Sequence, residues 1–251
     1  GIIGLGSVGS LLAQTASVLG MKIIGYDPYI SVDAAWMLPK EVEKAEELNH
    51  LLSNSDYISL HIPLTDKTKN FISKKNLNAF KPGSKLINLS RGGIVNNEDI
   101  LEALQQRKVS NFVTDFPTKE LIERSVTEKD VILLPHLGAS TKEAEINCAV
   151  MASEQVKKFL SDGVIINSIN FPKVSLGRTT KYRMVIIHKD EPGVIGMLAG
   201  EVAAEGINIP DMINKSRNEI AITLIDLEKE PSKNIISNIK NMETVLSIRV
   251  C

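Results

Sequence analysis

The sequence predicts an α/β protein, with a doubly wound parallel sheet followed by a smaller βαββαβ domain. Over about the first 140 residues, short apolar runs alternate with helical patterns six times, which is typical of parallel strands joined by helices. Several of the runs are continuously apolar, as expected of strands that are buried on both faces. We therefore expect a sheet domain over residues 1–140, a helix and linker over 141–180, and a small domain over 181–251.

Strands and helices can be assigned along both domains. In the small domain, strands are expected at 182–189, 207–214, 218–227 and 243–250, with helices at 192–205 and 231–240. Ser140 and Glu143 form a capping-box pattern with Ser140 as the N-cap of a longer helix, and Gly163 should end that helix. The strands expected in the first domain are Ile2–Ile3, Lys22–Tyr26, Tyr57–Leu60, Lys85–Leu89, Asn111–Thr114 and Val131–Leu134.

Composition and charge exclude several classes of partner. The formal net charge of −1 gives no electrostatic reason to expect nucleic acid or an anionic membrane. No apolar run reaches the ~18–20 residues that span a bilayer. The two cysteines, Cys148 and Cys251, are far apart and have no metal-ligand spacing. We expect no metal, and a cytoplasmic location fits so low a cysteine content.

A glycine-rich turn follows the first strand. Gly4, Gly6 and Gly9 have the spacing G-x-G-x-x-G, in which the glycines allow a tight turn, close approach of a pyrophosphate, and close helix packing. Asp27 ends the next strand, where its carboxylate can accept the ribose hydroxyls of adenosine and repel a 2′-phosphate. The pattern predicts a Rossmann-type domain that binds NAD rather than NADP. The alternative is a structural glycine turn with a surface aspartate.

Three further strand ends carry chemically active side chains. Arg91 follows the fourth predicted strand, Glu120 lies beyond the fifth, and His136 follows the sixth. Ligands bind outside the carboxyl ends of such strands. A histidine can take the proton of a hydroxyl group while hydride leaves the same carbon, and a guanidinium can bind a substrate carboxylate. The alternative for His136 is a loop histidine with a structural hydrogen bond. Of the other histidines, His50 should be a surface residue.

These motifs resemble those of the D-isomer-specific 2-hydroxyacid dehydrogenases, and among them the enzymes that act on 3-phosphoglycerate. The resemblance implies that Arg91 binds substrate, that His136 is the acid–base group and that Glu120 is its carboxylate partner. Asp115 would face the nicotinamide carboxamide, and His61 would line the adenine side. Further cofactor contacts are implied for Ser7, Val8, Asp27, Ile62, Pro63, Ser90 and the loop from His136 to Gly138.

The sequence departs from the family pattern after Asp115. The family has Asp-Val-Phe-x-x-Glu-Pro, whereas Pro117 falls within the motif here and the final proline is replaced by Leu121. Glu120 keeps its interval from Asp115, and Glu123 is the reserve candidate. The resemblance also implies a substrate domain built largely from chain before residue 1. On that interpretation the 251-residue chain binds NAD but has little turnover alone.

Residues 181–251 resemble an ACT domain, a small amino-acid-binding module. The matching segments are Ile187–Val194 and Gly206–Ile209. By this resemblance His188, Asp190 and Asn208 bind L-serine as an effector where two such domains pair. Asp190 departs from the usual asparagine and so loses a donor for the serine carboxylate. The alternative is a dimerisation domain without a ligand.

The sequence therefore predicts an NAD-dependent oxidation of 3-phospho-D-glycerate to 3-phosphooxypyruvate, with serine feedback, in a homo-oligomer such as a dimer or tetramer. The substrate would be its small-molecule partner. One alternative is another D-2-hydroxyacid dehydrogenase. The other is a non-catalytic sensor that binds nucleotide or amino acid, although binding alone requires neither Arg91 nor His136.

Overall fold

A computed structural model describes residues 1–251, apart from the side chain of Asp33. The chain divides into two compact units, Gly1–Gly138 and Ala139–Cys251. Among the described residues, no helix is both long and apolar enough to cross a bilayer.

The first unit is a seven-stranded sheet in which every strand pair is parallel, in the order β3-β2-β1-β4-β5-β6-β7. This confirms the predicted doubly wound α/β sheet. Its elements are β1 (Ile2–Ile3), α1 (Ser7–Val18), β2 (Ile24–Tyr26), α2 (Val32–Trp36), β3 (Glu43–Lys44), α3 (Leu48–Asn54), β4 (Tyr57–Leu60), α4 (Lys74–Leu77), β5 (Ser84–Asn88), α5 (Asn97–Gln105), β6 (Val109–Thr114), α6 (Lys119–Thr127) and β7 (Val131–Leu133).

The central strand β1 is covered on both faces. Ile3 belongs to one hydrophobic core and its neighbour Ile2 to another, because successive side chains of a strand point to opposite faces. Strand β1 pairs with β2 on one side and with β4 on the other. The strand order reverses at this point, which opens a crevice at the carboxyl ends of the strands.

Strand β3 was not predicted. It consists of Glu43 and Lys44, both exposed, at the edge of the sheet. Two charged residues carry no apolar run, so hydrophobic patterning has nothing to detect. Its place is set by backbone pairing with β2.

The second unit contains a four-stranded antiparallel sheet in the order β11-β8-β10-β9. The order of its elements matches the predicted βαββαβ pattern, and the sheet order is that of a ferredoxin-like sandwich. The elements are α7 (Lys142–Asp162), β8 (Tyr182–Lys189), α8 (Val194–Ala204), β9 (Asp211–Arg217), β10 (Ile220–Leu227), α9 (Lys233–Lys240) and β11 (Val245–Val250).

The two ends of helix α7 test the predicted caps. The prediction of Ser140 as N-cap is wrong, because the helix begins at Lys142 and the hydroxyl of Thr141 accepts from the backbone N–H of Ala144 at 3.1 Å. Both residues carry a hydroxyl, and only the observed start of the helix decides between them. Gly163 ends the helix as predicted, in a left-handed conformation with φ of 71°.

Residues 164–180, expected to form a linker, contribute to the core of the second unit. Ile165 and Val174 form an antiparallel bridge, and both side chains are buried with Val185 and Leu224. A side chain at Gly163 would bring its Cβ to 2.5 Å from Cγ2 of Val185. This close approach, together with the positive φ, explains the glycine.

A buried ion pair fixes the same segment. Nε of Arg183 donates to Asp226 at 2.5 Å, and neither side chain is exposed to solvent. Nη2 also donates to Oδ2 of Asp226 at 2.9 Å, and the other guanidinium hydrogens reach the backbone carbonyls of Asp162, Leu176 and Gly177. Burial by itself would raise the pKa of Asp226, but hydrogen bonds from Arg183 and Thr179 outweigh it and hold that pKa below its ordinary value.

Candidate active site

The glycine turn joins β1 to α1. Gly4 has φ of 91°, and a Cβ there would lie 2.5 Å from the carbonyl oxygen of His61. A Cβ at Gly9 would lie 2.0 Å from the carbonyl oxygen of Gly4. The protein's own packing therefore requires both glycines. A Cβ at Gly6, by contrast, would meet no atom within 4 Å.

The open side of Gly6 lies at the start of α1, whose first turn contains no acidic residue. The free backbone N–H groups of a helix start attract anions. This combination fits the pyrophosphate of a dinucleotide. Ser7 and Val8 begin the same helix, and their contact with the cofactor stays a prediction.

Asp27 directly follows β2, and its carboxylate is held by the backbone. Oδ2 accepts from the N–H of Leu5 at 2.9 Å, and Oδ1 accepts from the N–H of Tyr29 at 2.9 Å. The first of these bonds ties the acid to the glycine turn. A carboxylate oxygen can accept a second hydrogen bond, so each is still able to accept a ribose hydroxyl. That role of Asp27 stays a prediction.

His61 follows β4 and is partly buried. Its Nε2 lies 2.9 Å from Oγ of Ser59, and burial lowers the pKa of His61 below its ordinary value. The ring is therefore neutral at pH 7. Ile62 borders the turn, because a Cβ at Gly4 would come within 2.9 Å of its Cγ2. Pro63 accepts a hydrogen bond from Thr68 through its carbonyl.

Asn88, which sequence reasoning missed, organises the loop that carries Arg91. It ends β5 and is only 2% exposed. Its Nδ2 donates to the carbonyl of Arg91 at 2.9 Å, and its Oδ1 accepts from both the N–H and the hydroxyl of Ser90. The Arg91 side chain is exposed, and Nη1 donates to the carbonyl of Ser90 at 2.7 Å. The signal that could have identified Asn88 in the sequence is a polar residue at the end of an apolar strand.

Asp115 and His136 lie together beyond the ends of β6 and β7. Oδ2 of Asp115 lies 2.9 Å from Nδ1 of His136. The ring of Phe116 packs against the imidazole, with centroids 5.0 Å apart. Gly92 leaves room for Phe116, since a Cβ there would lie 3.3 Å from the phenyl ring. These residues border a cleft of about 490 Å³ that is also lined by Asn88, Thr114 and Thr118.

In this structure the carboxylate beside the imidazole of His136 is that of Asp115, and the expected pairing of His136 with Glu120 stays a prediction. Thr118 caps helix α6 through its side chain, so Glu120 falls in the first helical turn. There the carboxylate of Glu120 accepts hydrogen bonds from its own backbone N–H and from the side chain of Thr118, and these bonds lower the pKa of Glu120. Glu123, the reserve candidate, is an exposed residue of the same helix. The early proline at Pro117 and the cap at Thr118 explain the difference.

In the second unit, the three predicted effector residues have separate surroundings. His188 is 2% exposed, and its ring nitrogens lie 2.9 Å from Oγ1 of Thr223 and 2.7 Å from the carbonyl of Lys189. Asn208 donates to the carboxylate of Glu228 at 3.0 Å. Asp190 is exposed beyond the end of β8. No hydrogen bond or ion pair among the described side chains joins the three.

The comparisons with known proteins agree with this architecture. Residues 1–138 match the model of the "D-isomer specific 2-hydroxyacid dehydrogenase, NAD binding domain" family. The D-3-phosphoglycerate dehydrogenase of Escherichia coli strain K12 is 32% identical over 237 residues, which cover 92% of this chain and 57% of that protein. The D-3-phosphoglycerate dehydrogenase of Synechocystis is 36% identical over 203 residues, covering 80% of this chain and 36% of that protein.

Two solved structures are similar in fold. The D-mandelate dehydrogenase of Rhodotorula graminis has a TM-score of 0.56 at 27% identity, covering 63% of this chain and 46% of that one. A D-lactate dehydrogenase with NAD+ from Lactobacillus jensenii has a TM-score of 0.54 at 25% identity, covering 63% and 51%. This chain thus spans about half the length of the proteins it matches, and NAD is confirmed as its cofactor. The chain belongs to the D-isomer-specific 2-hydroxyacid dehydrogenases, whose NAD-binding domain it contains in residues 1–138.

Proposed function

We propose that this chain is part of a cytoplasmic, NAD-dependent dehydrogenase that oxidises 3-phospho-D-glycerate to 3-phosphooxypyruvate. The observation that carries the proposal is the contact of 2.9 Å between Nδ1 of His136 and the buried carboxylate of Asp115, at the carboxyl end of the NAD-binding sheet. Similarity to curated 3-phosphoglycerate dehydrogenases over up to 100% of the chain favours this substrate. Other D-2-hydroxyacid dehydrogenases are the alternative, and the similar solved structures include enzymes for lactate and mandelate.

On this proposal, each site residue has a separate role in the reaction. Arg91 binds the substrate carboxylate through its exposed guanidinium, and in the reverse direction it polarises the carbonyl of the oxo acid. His136 accepts the proton of the C2 hydroxyl on Nε2. Bound NAD supplies the acceptor for the hydride that leaves C2. The glycine turn and Asp27 hold the pyrophosphate and the ribose.

The second unit is proposed to be an ACT domain through which the protein assembles as a homodimer or tetramer and responds to L-serine. Its βαββαβ order and antiparallel sheet support the assignment. On this proposal His188, Asp190 and Asn208 bind L-serine at the interface where two such domains pair. A thermal-shift titration of the chain with L-serine should raise its melting temperature. No change would favour a dimerisation domain without a ligand.

The dehydrogenase proposal is tested on two samples. The 251-residue chain should bind NADH, seen as a change in NADH fluorescence, and should show little turnover. The full gene product should form NADH from NAD in the presence of 3-phospho-D-glycerate, faster than with D-lactate. Binding of NADH without turnover of any D-2-hydroxy acid would favour a sensor. Turnover of D-lactate alone would favour another dehydrogenase of the family.

A further inference from the structure

We propose that Asn88 is a positioning residue for the substrate-binding arginine: its buried amide fixes the loop that aims Arg91, without contact to the substrate itself. This inference deepens the proposed function and rests on it, because it names a residue on which binding of the substrate carboxylate depends. Asn88 is the last residue of β5, and the loop between it and Arg91 also carries Ser90, a predicted cofactor contact.

Asn88 is buried at a position where an apolar side chain could pack without hydrogen bonds. It is 2% exposed and lies on the same face of β5 as Leu86, which is fully buried. Its backbone pairs with Leu60 of β4 and with Thr114 of β6, so strands on both sides fix its place. A buried amide is unfavourable unless it forms hydrogen bonds. Among the described residues, the side-chain hydrogen bonds of Asn88 all go to the loop.

The two ends of this amide have different partners and cannot be exchanged. Oδ1 of Asn88 accepts from the backbone N–H and from the hydroxyl of Ser90, at 3.2 and 2.9 Å. Nδ2 donates to the backbone carbonyl of Arg91 at 2.9 Å. A carbonyl can only accept and a backbone N–H can only donate, so these contacts determine which way the amide points. The position therefore requires one donor and one acceptor on a short side chain, and asparagine provides both.

The loop is fixed on both sides of Arg91. Beyond it, the backbone N–H of Asn70 donates to the carbonyl of Gly93 at 2.8 Å. Before it, the amide of Asn88 holds the strand end and the carbonyl of Arg91 together. The direction in which the Arg91 side chain leaves the backbone is therefore set at one of these two anchors by a single asparagine.

The guanidinium of Arg91 depends on the same loop. Nη1 donates to the carbonyl of Ser90 at 2.7 Å, while the edge formed by Nε and Nη2 makes no hydrogen bond to a described residue. An edge with two parallel N–H groups binds a carboxylate in bidentate geometry. A shift of the Ser90 carbonyl would turn this edge away from the substrate, and small misplacements of a binding group are costly.

Asn88→Asp tests this role, because it replaces only the NH2 group by an oxygen. The acceptor at Oδ1 is kept, but an oxygen now faces the carbonyl of Arg91, where the native amide donates. Asn76→Asp is the matched control: Oδ1 of Asn76 accepts from the N–H of Ser73 at 3.0 Å, and Nδ2 donates to the carbonyl of Phe71 at 2.7 Å. Both variants lose the same type of hydrogen bond, and only the first loses it beside the arginine.

The order of the guanidinium is measured by ¹⁵N relaxation of the arginine Nε–H groups in the labelled 251-residue chain. Arg107, an exposed arginine, is the reference for a mobile side chain in the same spectrum. We expect Nε of Arg91 to be restricted in the native chain and in Asn76→Asp, and to become as mobile as that of Arg107 in Asn88→Asp. Equal mobility of Arg91 and Arg107 in the native chain would overturn the proposal, and so would an equal loss of order in both variants.

Kinetics of the full gene product separate the substrate from the cofactor. Asn88→Asp should raise KM for 3-phospho-D-glycerate at least about tenfold, because a misdirected guanidinium loses a charged hydrogen bond to the carboxylate. The Kd of NADH should change by less than about twofold, since the acceptor for Ser90 is kept. Asn76→Asp should leave both constants unchanged.

An unchanged KM in Asn88→Asp would contradict the proposed role, and so would a rise in the Kd of NADH as large as the rise in KM, which would indicate a general loosening of the site. If the full gene product oxidises no D-2-hydroxy acid, the dehydrogenase proposal fails. The relaxation experiment requires no turnover and still decides whether Asn88 orders Arg91, so the two proposals can fail separately.

Discussion

Replacing Gly6 by alanine adds one methyl group to the turn between β1 and α1. The Cβ would meet no atom of the protein within 4 Å, and Gly6 already has an extended backbone with φ of −69° and ψ of −163°. Alanine adopts this conformation. The free energy of unfolding should therefore change by less than about 1 kcal/mol, because alanine restricts the unfolded chain but is a poorer N-cap than the glycine that precedes α1.

The same methyl group should interfere with NADH, because it fills the space through which a pyrophosphate approaches the helix start. Losing one hydrogen bond between a backbone N–H and a charged phosphate costs about 1.5–3 kcal/mol, which corresponds to a rise in Kd of about 10- to 150-fold. Fluorescence titration with NADH measures the binding, and urea denaturation of the same preparation measures the stability.

Gly9→Ala is the comparison that makes the test strict. Its Cβ would lie 2.0 Å from the carbonyl oxygen of Gly4, so the helix or the turn has to shift, and we expect a loss of about 1–3 kcal/mol of stability. The two glycines should thus separate binding from folding. If Gly6→Ala binds NADH as tightly as the native chain, the pyrophosphate does not lie against this turn and the reasoning fails.

Three further predictions concern the second unit. Arg183→Met should lower the free energy of unfolding by about 3–5 kcal/mol, because it leaves the buried carboxylate of Asp226 without its partner; in urea denaturation, a loss below 1 kcal/mol would contradict this. The pKa of Asp226 is lower when folded than its ordinary value of 3.8, so its contribution to stability is present above about that pH and is lost as the pH falls toward the folded pKa. Acid titration of the native chain followed by circular dichroism should show this loss, and Arg183→Met should flatten it. Gly163→Ala should lower the free energy of unfolding by about 1–3 kcal/mol, because φ at this position is 71° and the new Cβ would lie 2.5 Å from Cγ2 of Val185. An unchanged melting temperature would argue against that strain.

Much of the fold was predictable because patterns that depend on local sequence determined it. The apolar runs of β1, β4 and β5 and the turn from Gly4 to Gly9 carry their signals within a few residues. Contacts between distant residues were harder to predict. The carboxylate beside His136 depends on where α6 begins, and Thr118 sets that start by capping the helix. The resemblance to the family favoured Glu120, which keeps its interval from Asp115, but an interval in the sequence says nothing about where the chain turns.

The same difference separates Asn88 from the residues that were identified. The role of Asn88 depends on the path of the loop to Arg91, and only the tertiary structure shows that path. In the same way, β3 forms because the neighbouring strand β2 has free backbone groups to pair with, and no property of Glu43 or Lys44 predicts a strand. Local sequence patterns therefore located the other strands and the glycine turn, while the partners of the reactive groups came from tertiary structure.

Arg183 holds its loop by main-chain oxygens alone, at Asp162, Leu176 and Gly177. Every amino acid has such an oxygen, so the identity of the loop residues is not what the guanidinium recognises. Substitutions at Leu176 that keep the backbone path should therefore leave this anchorage intact, while any replacement of the arginine releases all three attachment points together. In a lineage of such proteins, these three positions can therefore vary without loss of the anchorage as long as Arg183 stays the same.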